Sequence, residues 1–279
     1  MKLTVLVDNN TFIDHYYLGE PALSFYLEND PMCILFDTGY SDACLRNAQK
    51  MKERFDVDIV VISHGHNDHT GGLHYLLRRL PGRKVIAHPD AFYPKADDNH
   101  VDIGSPLRLE QIKQHYHCDF VFSKDPLWVS QNLTFLGEIP ELVPFEPRYA
   151  IGTKEVDGKV EEDYIKDDSA LVYKTKKGLF VITGCSHSGI CNIVEYAKQV
   201  CNDSRILGII GGFHLMQMDE RTERTIEYLK QERIPYLYPC HCVSLPVKIQ
   251  MGAELDIREV GVGLQLDIAE SGEVKEVIL

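Results

Sequence analysis

No stretch of this sequence approaches the ~18 consecutive apolar residues of a membrane-spanning helix; the densest runs, Leu179 to Ile182 and Ile206 to Ile210, are strand-sized. A membrane span is therefore excluded. The first residues offer one lysine, a short run from Leu3 to Val7 and then Asp8, too short for a signal-peptide core and without a small-residue cleavage site. The expectation is a cytoplasmic protein that starts with a strand. Positive charge is scarce as well: 29 Lys and Arg stand against 42 Asp and Glu, a formal net charge of −13. That balance has the wrong sign for a protein that neutralises phosphates along nucleic acid, so a nucleic-acid partner and a nuclease function are disfavoured. The basic runs Arg78 to Lys84 and Lys174 to Lys177 read as solvated helix-end and turn charges. Internal repeats of fixed period and low-complexity segments are lacking too.

What remains is a globular chain of 279 residues, 44% hydrophobic and 25% charged, long enough for one large domain or two ordinary ones at ~150 residues each. Its eight cysteines argue for free thiols or metal ligands rather than a disulfide framework. Residues 3 to 8, 23 to 28 and 32 to 37 read as an antiparallel start. A helix from about Ser41, a plausible N-cap, to Arg54 follows, then a buried strand from Asp58 to Ser63. A helix at about 72 to 80, the breaker Pro81-Gly82 and a strand at 84 to 87 continue an α/β rhythm. From His88 to about Asp168 the pattern weakens, with strand-like pieces at 119 to 122 and 133 to 136; such a long irregular segment suggests a lid or substrate-facing insert. Regularity returns with strands at 170 to 175, 179 to 183, 205 to 210 and 235 to 238 and helices at about 189 to 201 and 220 to 232. Two mixed sheets packed face to face with helices outside suit this order.

The sharpest chemical signal is Ser63-His64-Gly65-His66-Asn67-Asp68-His69-Thr70-Gly71-Gly72, at the end of a buried strand. Imidazole and carboxylate together suit Zn, Fe or Mn. His64 and His66 flank a glycine that allows a sharp turn, so both rings can face one ion, while Asp68 and His69 are displaced toward a second position. Packing three histidines and an aspartate at a strand end has no cheaper purpose.

His64-x-His66-x-Asp68-His69 resembles the signature of the metallo-β-lactamase superfamily, and Phe36-Asp37-Thr38-Gly39 resembles its strand-end Asp-x-Gly element. The resemblance spans nearly the whole chain. It implies a single domain over 1–279, an αββα sandwich (α/β in the broad sense, α+β) of two mixed sheets, with the 88–168 insert shaping the site. It further implies two divalent metals, Zn first with Fe or Mn as alternatives, ligated from loops along one sheet edge. Residues 64 and 66 would share the first metal with a later histidine, and residues 68 and 69 the second with a last one. Where typical members place a bridging Gly-Asp, this chain has Gly184-Cys185, which is either a thiolate bridge for soft metals or a packed buried thiol. His187 is the candidate third ligand of the first metal; the alternative is that Ser186 or Ser188 caps the next helix with His187 beside it. His241, in Pro239-Cys240-His241-Cys242, matches the final histidine, its flanking cysteines reading as buried thiols. Asp37 would orient a metal-bound histidine through its second ring nitrogen.

Gly184-Cys185-Ser186-His187-Ser188-Gly189, Gly211-Gly212-Phe213-His214-Leu215 and Cys240-His241-Cys242 resemble one branch of the superfamily. It is the branch of the 7,8-dihydropterin-6-methyl-4-(β-D-ribofuranosyl)aminobenzene-5'-phosphate synthases. Gly137-Glu138-Ile139-Pro140 and Asp167-Asp168-Ser169-Ala170-Leu171 fit its pattern as well. Two departures, Glu20-Pro21-Ala22-Leu23-Ser24 and Cys240-His241-Cys242-Val243-Ser244, prevent the substrate from being carried over. His214, on a Gly-Gly turn, reads either as a substrate-contacting or proton-transfer group or as a satisfied structural histidine. His88, His100, His115 and His117 read as structural or surface residues.

The leading expectation is a metal-dependent hydrolase of a small-molecule ester, lactone, amide or phosphoester. Coordination lowers the pKa of water from about 15.7 to about 7 to give the attacking hydroxide, and Asp68 orients it. The alternatives are a pterin-related synthase displacing pyrophosphate, an iron redox enzyme, and a non-catalytic metal-stabilised sensing module. His66 stands where flavodiiron proteins carry Glu, which counts against the redox reading. A serine hydrolase fails on spacing, because Ser186 has Gly184 before it but Ser188 after it.

Overall fold

The computed structural model describes residues 1–51 and 55–279. The strands are short runs of Val, Ile, Leu and Phe, and the two-residue alternation of a strand sends successive side chains to opposite faces. In Ser24–Asn29 the odd residues Phe25 and Leu27 enter one core while Tyr26 enters another; Ile34 and Phe36 of Met32–Phe36 part from Leu35 in the same way. Both faces being buried, these strands read as continuous apolar segments.

Eight strands form the first sheet, in the order Val274–Ile278, Leu264–Ile268, Lys2–Val7, Ser24–Asn29, Met32–Phe36, Ile59–Val61, Lys84–Ala87 and Asp119–Phe122. Pairing is antiparallel up to Met32–Phe36 and parallel beyond it. The second sheet has six: Tyr236–Cys240, Ile206–Gly212, Gly178–Thr183, Ala170–Thr175, Leu133–Phe135 and Leu127–Trp128, the first three parallel to one another. Between the sheets lies one shared core, to which Phe25, Phe36 and Val61 contribute from the first and Phe135, Phe180 and Ile182 from the second. Helices Ala43–Met51, Leu73–Arg79 and Leu109–Tyr116 cover the outer face of the first sheet, and Ile190–Cys201, Glu220–Glu232 and Leu245–Glu254 that of the second. The layers run αββα, as expected.

Several boundaries differ from the sequence reading. The helix expected from Ser41 to Arg54 begins at Ala43, with Ser41 Oγ accepting from the Ala43 amide at 3.1 Å; its expected end lies outside the described residues. The helix Ile190–Cys201 takes no cap from Ser186 or Ser188. The buried Glu146 carboxylate accepts from the Cys191 and Asn192 amides instead, at 2.9 and 3.1 Å. The segment 88–168 divides into framework and wall. Asp119–Phe122 extends the first sheet, Leu127–Trp128 and Leu133–Phe135 finish the second, and Lys95–Ala96 joins Thr153–Val156 and Lys159–Glu162 in a small third sheet.

Each parallel strand except Asp119–Phe122 is followed by a helix, and the chain leaves these strands at one edge of the sandwich, where open α/β sheets bind their ligands. Asp37 follows Phe36, His64 follows the Ile59–Val61 strand by three residues, and Cys185 follows Thr183 by two. His214 follows Gly212 and His241 follows Cys240 at the same edge.

Candidate metal centre

The backbone at this edge is bent to bring side chains inward. Asp37, Ser186, His214 and His241 all have positive φ, between 48° and 59°, which non-glycine residues adopt only when their surroundings enforce it. Gly65 has no room for a side chain: a Cβ there would lie 2.0 Å from the Ala91 carbonyl oxygen. Gly184 is as tight against Ser63 Oγ, at 2.2 Å. Gly184 thus lets the Cys185 loop close on the strand end at Ser63, and Gly65 lets the histidine turn pack against Pro89–Phe92.

All seven ligand candidates meet there. Donor atoms of His64, His66 and Asp68 lie within 4.8 Å of one another, as do those of Asp68, His69, Cys185 and His241 and those of His64, Cys185 and His187. His64 Nε2 stands 3.1 Å from His66 Nδ1, and His69 Nε2 stands 3.1 Å from Cys185 Sγ. Asp68 Oδ2 is 3.2 Å from His241 Nε2 and 3.5 Å from His69 Nε2. Cys185 thus lies between His64 and His187 on one side, with the His66 ring 4.9 Å from that of His187, and Asp68, His69 and His241 on the other. The cluster floors a cavity of about 530 Å³ whose walls include Tyr40, Ile103, Ile151 and Met216. Ile103 and Ile151 come from the 88–168 segment, which in this part faces the pocket.

Burial sets the protonation states. It holds His66 down at about 4, and lowers His64 and His187 well below the ordinary imidazole value, so all three present neutral lone pairs. Burial alone would lower His69 too, but the Asp68 and Asp37 carboxylates outweigh it and raise His69 to about 9. In the same way, His69 and His241 overcome the burial of Asp68 and hold its carboxyl well below the usual range. Burial pushes the Cys185 thiol well up.

Outer groups fix the ligands. Asp37 Oδ2 meets His69 Nδ1 at 2.7 Å, the orienting contact expected from the sequence. Ser63 Oγ bridges that carboxylate, at 2.7 Å, to His64 Nδ1, at 3.0 Å. Asn9 Oδ1 holds His241 Nδ1 at 2.9 Å. A second support escaped the sequence reading: the Gly65 amide donates to buried Asp167 Oδ2 at 2.7 Å, and Lys95 Nζ contacts Asp167 at 3.0 Å and Asp163 at 2.6 Å. Against the upward pull of burial, Lys95 keeps Asp167 at about 2. The similarity of Asp167-Asp168-Ser169-Ala170-Leu171 to a known pattern was the available signal for Asp167; Lys95 had none. Of the flanking thiols, Cys240 is buried in the inter-sheet core, whereas Cys242 lines the cavity. His214 lines it as well, its ring 4.4 Å from that of His187. His88 is buried, its Nδ1 accepting from the Asp90 amide at 3.1 Å.

The donor set fits divalent metal. His66 Nε2 and both ring nitrogens of His187 are buried without a hydrogen-bond partner among the described residues. Each such atom costs about 1–3 kcal/mol if nothing meets it, and a bound cation removes that cost. Neutral imidazoles, a carboxylate and a thiol suit Zn, with Fe or Mn also compatible.

An αββα sandwich with these donors at the carboxyl ends of its parallel strands defines a metal-site protein. The chain belongs to the metallo-β-lactamase superfamily, whose family model matches residues 18–198. It is 34% identical over 246 residues to the uncharacterized protein MJ0448 of Methanocaldococcus jannaschii, covering 87% of this chain and 90% of that one. To the 7,8-dihydropterin-6-methyl-4-(beta-D-ribofuranosyl)-aminobenzene-5'-phosphate synthase of the same organism it is 29% identical over 258 residues, 88% of each. Among solved structures, Tm1679, described as a metal-dependent hydrolase of the beta-lactamase superfamily, superposes with a TM-score of 0.82. The identity is 29%, over 96% of this chain and 99% of that one. Zn(2+)-bound PqqB from Methylobacterium extorquens, 13% identical, shares the fold with a TM-score of 0.57 over 96% of this chain and 100% of its own.

Asp37→Asn, which removes the charge behind His69, should weaken metal affinity about 10–100-fold in competition with a chromophoric chelator; unchanged affinity would remove Asp37 from the metal centre. In metal-free protein, His64, His66 and His187 bind protons more readily unfolded than folded. Stability should therefore fall as pH drops from about 6.5 toward about 4. His69 has the opposite sign: its contribution is full below about 6.5 and is lost as pH rises through about 9. The melting temperature of metal-free protein should peak near neutrality, and a steady rise from pH 7 to 9 would contradict this balance.

Proposed function

We propose that this protein is a metal-dependent hydrolase of a small molecule, cleaving an ester, lactone, amide or phosphoester. The reading rests on the convergence of Cys185 with Asp68, His69 and His241 and with His64 and His187, and of His66 with His64 and Asp68, at the floor of the cavity. His64, His66 and His187 would hold one divalent ion and Asp68, His69 and His241 the other, with Cys185 Sγ within reach of both. Zinc suits this set best. Such ions supply Lewis acidity toward a carbonyl or phosphoryl oxygen and acidify water toward a pKa of about 7.

The chain's own groups do the rest. The Asp68 carboxylate, about a quarter exposed and held ionised by His69 and His241, orients a water entering from the cavity. Asp37 and Asn9 keep His69 and His241 in fixed tautomers, so the donors need no rearrangement during turnover. Tyr40, Ile103, Ile151 and Met216 line the walls and exclude water from an apolar substrate body. Among the described residues the lining contains no lysine or arginine, which disfavours a substrate carrying a diphosphate. His214 Nδ1 is buried without a partner among the described residues, so this ring is placed either to pass a proton or to take a cation.

A second reading, a synthase that displaces pyrophosphate from a pterin, is favoured by the 29% identity with the Methanocaldococcus jannaschii synthase. Metal-loaded protein assayed on a panel of lactones, esters and phosphoesters separates the two. The hydrolase reading expects turnover that falls more than roughly 100-fold in His66→Ala and Asp68→Asn, beyond the usual effect of outer-sphere changes. Pyrophosphate release that requires an arylamine co-substrate would establish the synthase instead, and turnover in neither assay would overturn both.

A further inference from the structure

Beside the two donor groups lies a third, which the paired-ion reading does not use. Donor atoms of Cys185, His214 and Cys242 all lie within 4.8 Å of one another. Their convergence is built at some cost. His214 is held at a φ of 48° and His241, next to Cys242, at 51°, although neither is glycine. Gly212 is flattened beneath them, since a Cβ there would meet Cys242 Sγ at 2.4 Å and the Gly184 carbonyl oxygen at 2.7 Å. The His214 amide points at Cys242 Sγ from 3.3 Å, the kind of backbone donation that stabilises a sulfur carrying negative charge. One nitrogen of His214 is buried with no partner among the described residues. Two sulfurs and an imidazole, with an open cavity on the fourth side, make a three-protein-ligand set of the kind thiophilic ions take.

We propose that Cys185, Cys242 and His214 form a third cation site, specific for thiophilic d10 ions of the Zn2+ and Cd2+ type, on the wall of the same cavity. The site rests on the paired-ion reading only in sharing Cys185. It assigns His214 to the cation rather than to the substrate, and it makes the thiols of this cavity metal ligands rather than packing groups. A hard ion such as Mg2+ finds no oxygen donor in this set and does not compete for it.

The test is titration of chelator-stripped, full-length protein with Cd2+, following bound metal and thiolate-to-cadmium charge-transfer absorbance together. Cys33→Ser and Cys118→Ser are introduced first, because these are the other partly exposed thiols and lie outside the cavity. In that background the proposal expects about three Cd2+ per chain. Cys242→Ser should lower the count to about two and roughly halve the charge-transfer absorbance, leaving a single ligating thiolate, Cys185. His214→Ala should lower the count to about two with a comparable loss of absorbance, because Cys242 then has no ion to bind, and circular dichroism checks that each variant keeps its fold. Saturation at two ions with an absorbance indifferent to Cys242→Ser would overturn the third site and leave the paired-ion reading intact. Uptake of one ion, lost in Cys242→Ser, would uphold the sulfur site and overturn the pair.

Discussion

The buried carboxylate of Asp37 is the contact on which fold and site jointly depend. It sits at the end of Met32–Phe36, at positive φ and with no solvent exposure, where an ion survives only if its oxygens are filled. Three donors fill them, the Ser63 amide, the Ser63 hydroxyl and the His69 ring, each at 2.7 Å. The first two tie it to the chain leaving the next parallel strand, and the third ties it to the histidine turn. Its own amide donates to Val61 and its carbonyl accepts from Ser24, at 2.9 and 2.8 Å. Gly184 of the second sheet packs against the same Ser63 and Asp37 atoms. One ionised group thus registers two neighbouring strands, the histidine turn and the opposing sheet.

That arrangement explains why the cluster tolerates so much burial. Imidazoles packed 4.2 to 5.0 Å apart by ring centroid would repel if protonated, and burial keeps His64, His66 and His187 neutral. The negative charge is concentrated on the other side, in Asp68 and Asp37 around His69. Lys95 brings a compensating positive charge beneath Gly65, itself neutralised by Asp163 and Asp167. The cavity floor is therefore asymmetric, with neutral nitrogen on one side and carboxylate on the other, and sulfur lies between them where the superfamily's usual carboxylate would stand. A sulfur at this position, if it ligates, would favour thiophilic ions over hard ones.

Much of this was legible in the sequence because it is local. Four donors within six positions at a strand end announce a metal turn, and the αββα layering follows from strands that alternate with helices. The rest is non-local. Lys95 is nearly indistinguishable in sequence from a solvated lysine, and only the small third sheet brings it to Asp163 and Asp167. Leu127–Trp128 is two residues long and becomes a strand only by pairing with Leu133–Phe135. Leu264–Ile268 joins Lys2–Val7 from the far end of the chain, a partnership no local pattern reveals. Strand alternation would put Cys240 and Cys242 on one face; instead the strand ends at Cys240 and the left-handed turn at His241, φ 51°, sends one thiol to the core and the other to the cavity.

The proposed chemistry depends on two ions sharing Cys185, one on the side of His64, His66 and His187 and one on the side of Asp68, His69 and His241. Anomalous diffraction from crystals of the protein, measured on both sides of the zinc absorption edge, tests it most directly. One peak is expected among His64, His66 and His187 and another among Asp68, His69 and His241, with Cys185 Sγ at a zinc–sulfur bonding distance of about 2.3 Å from both. A single peak, or two peaks with Cys185 turned into the core, would contradict it.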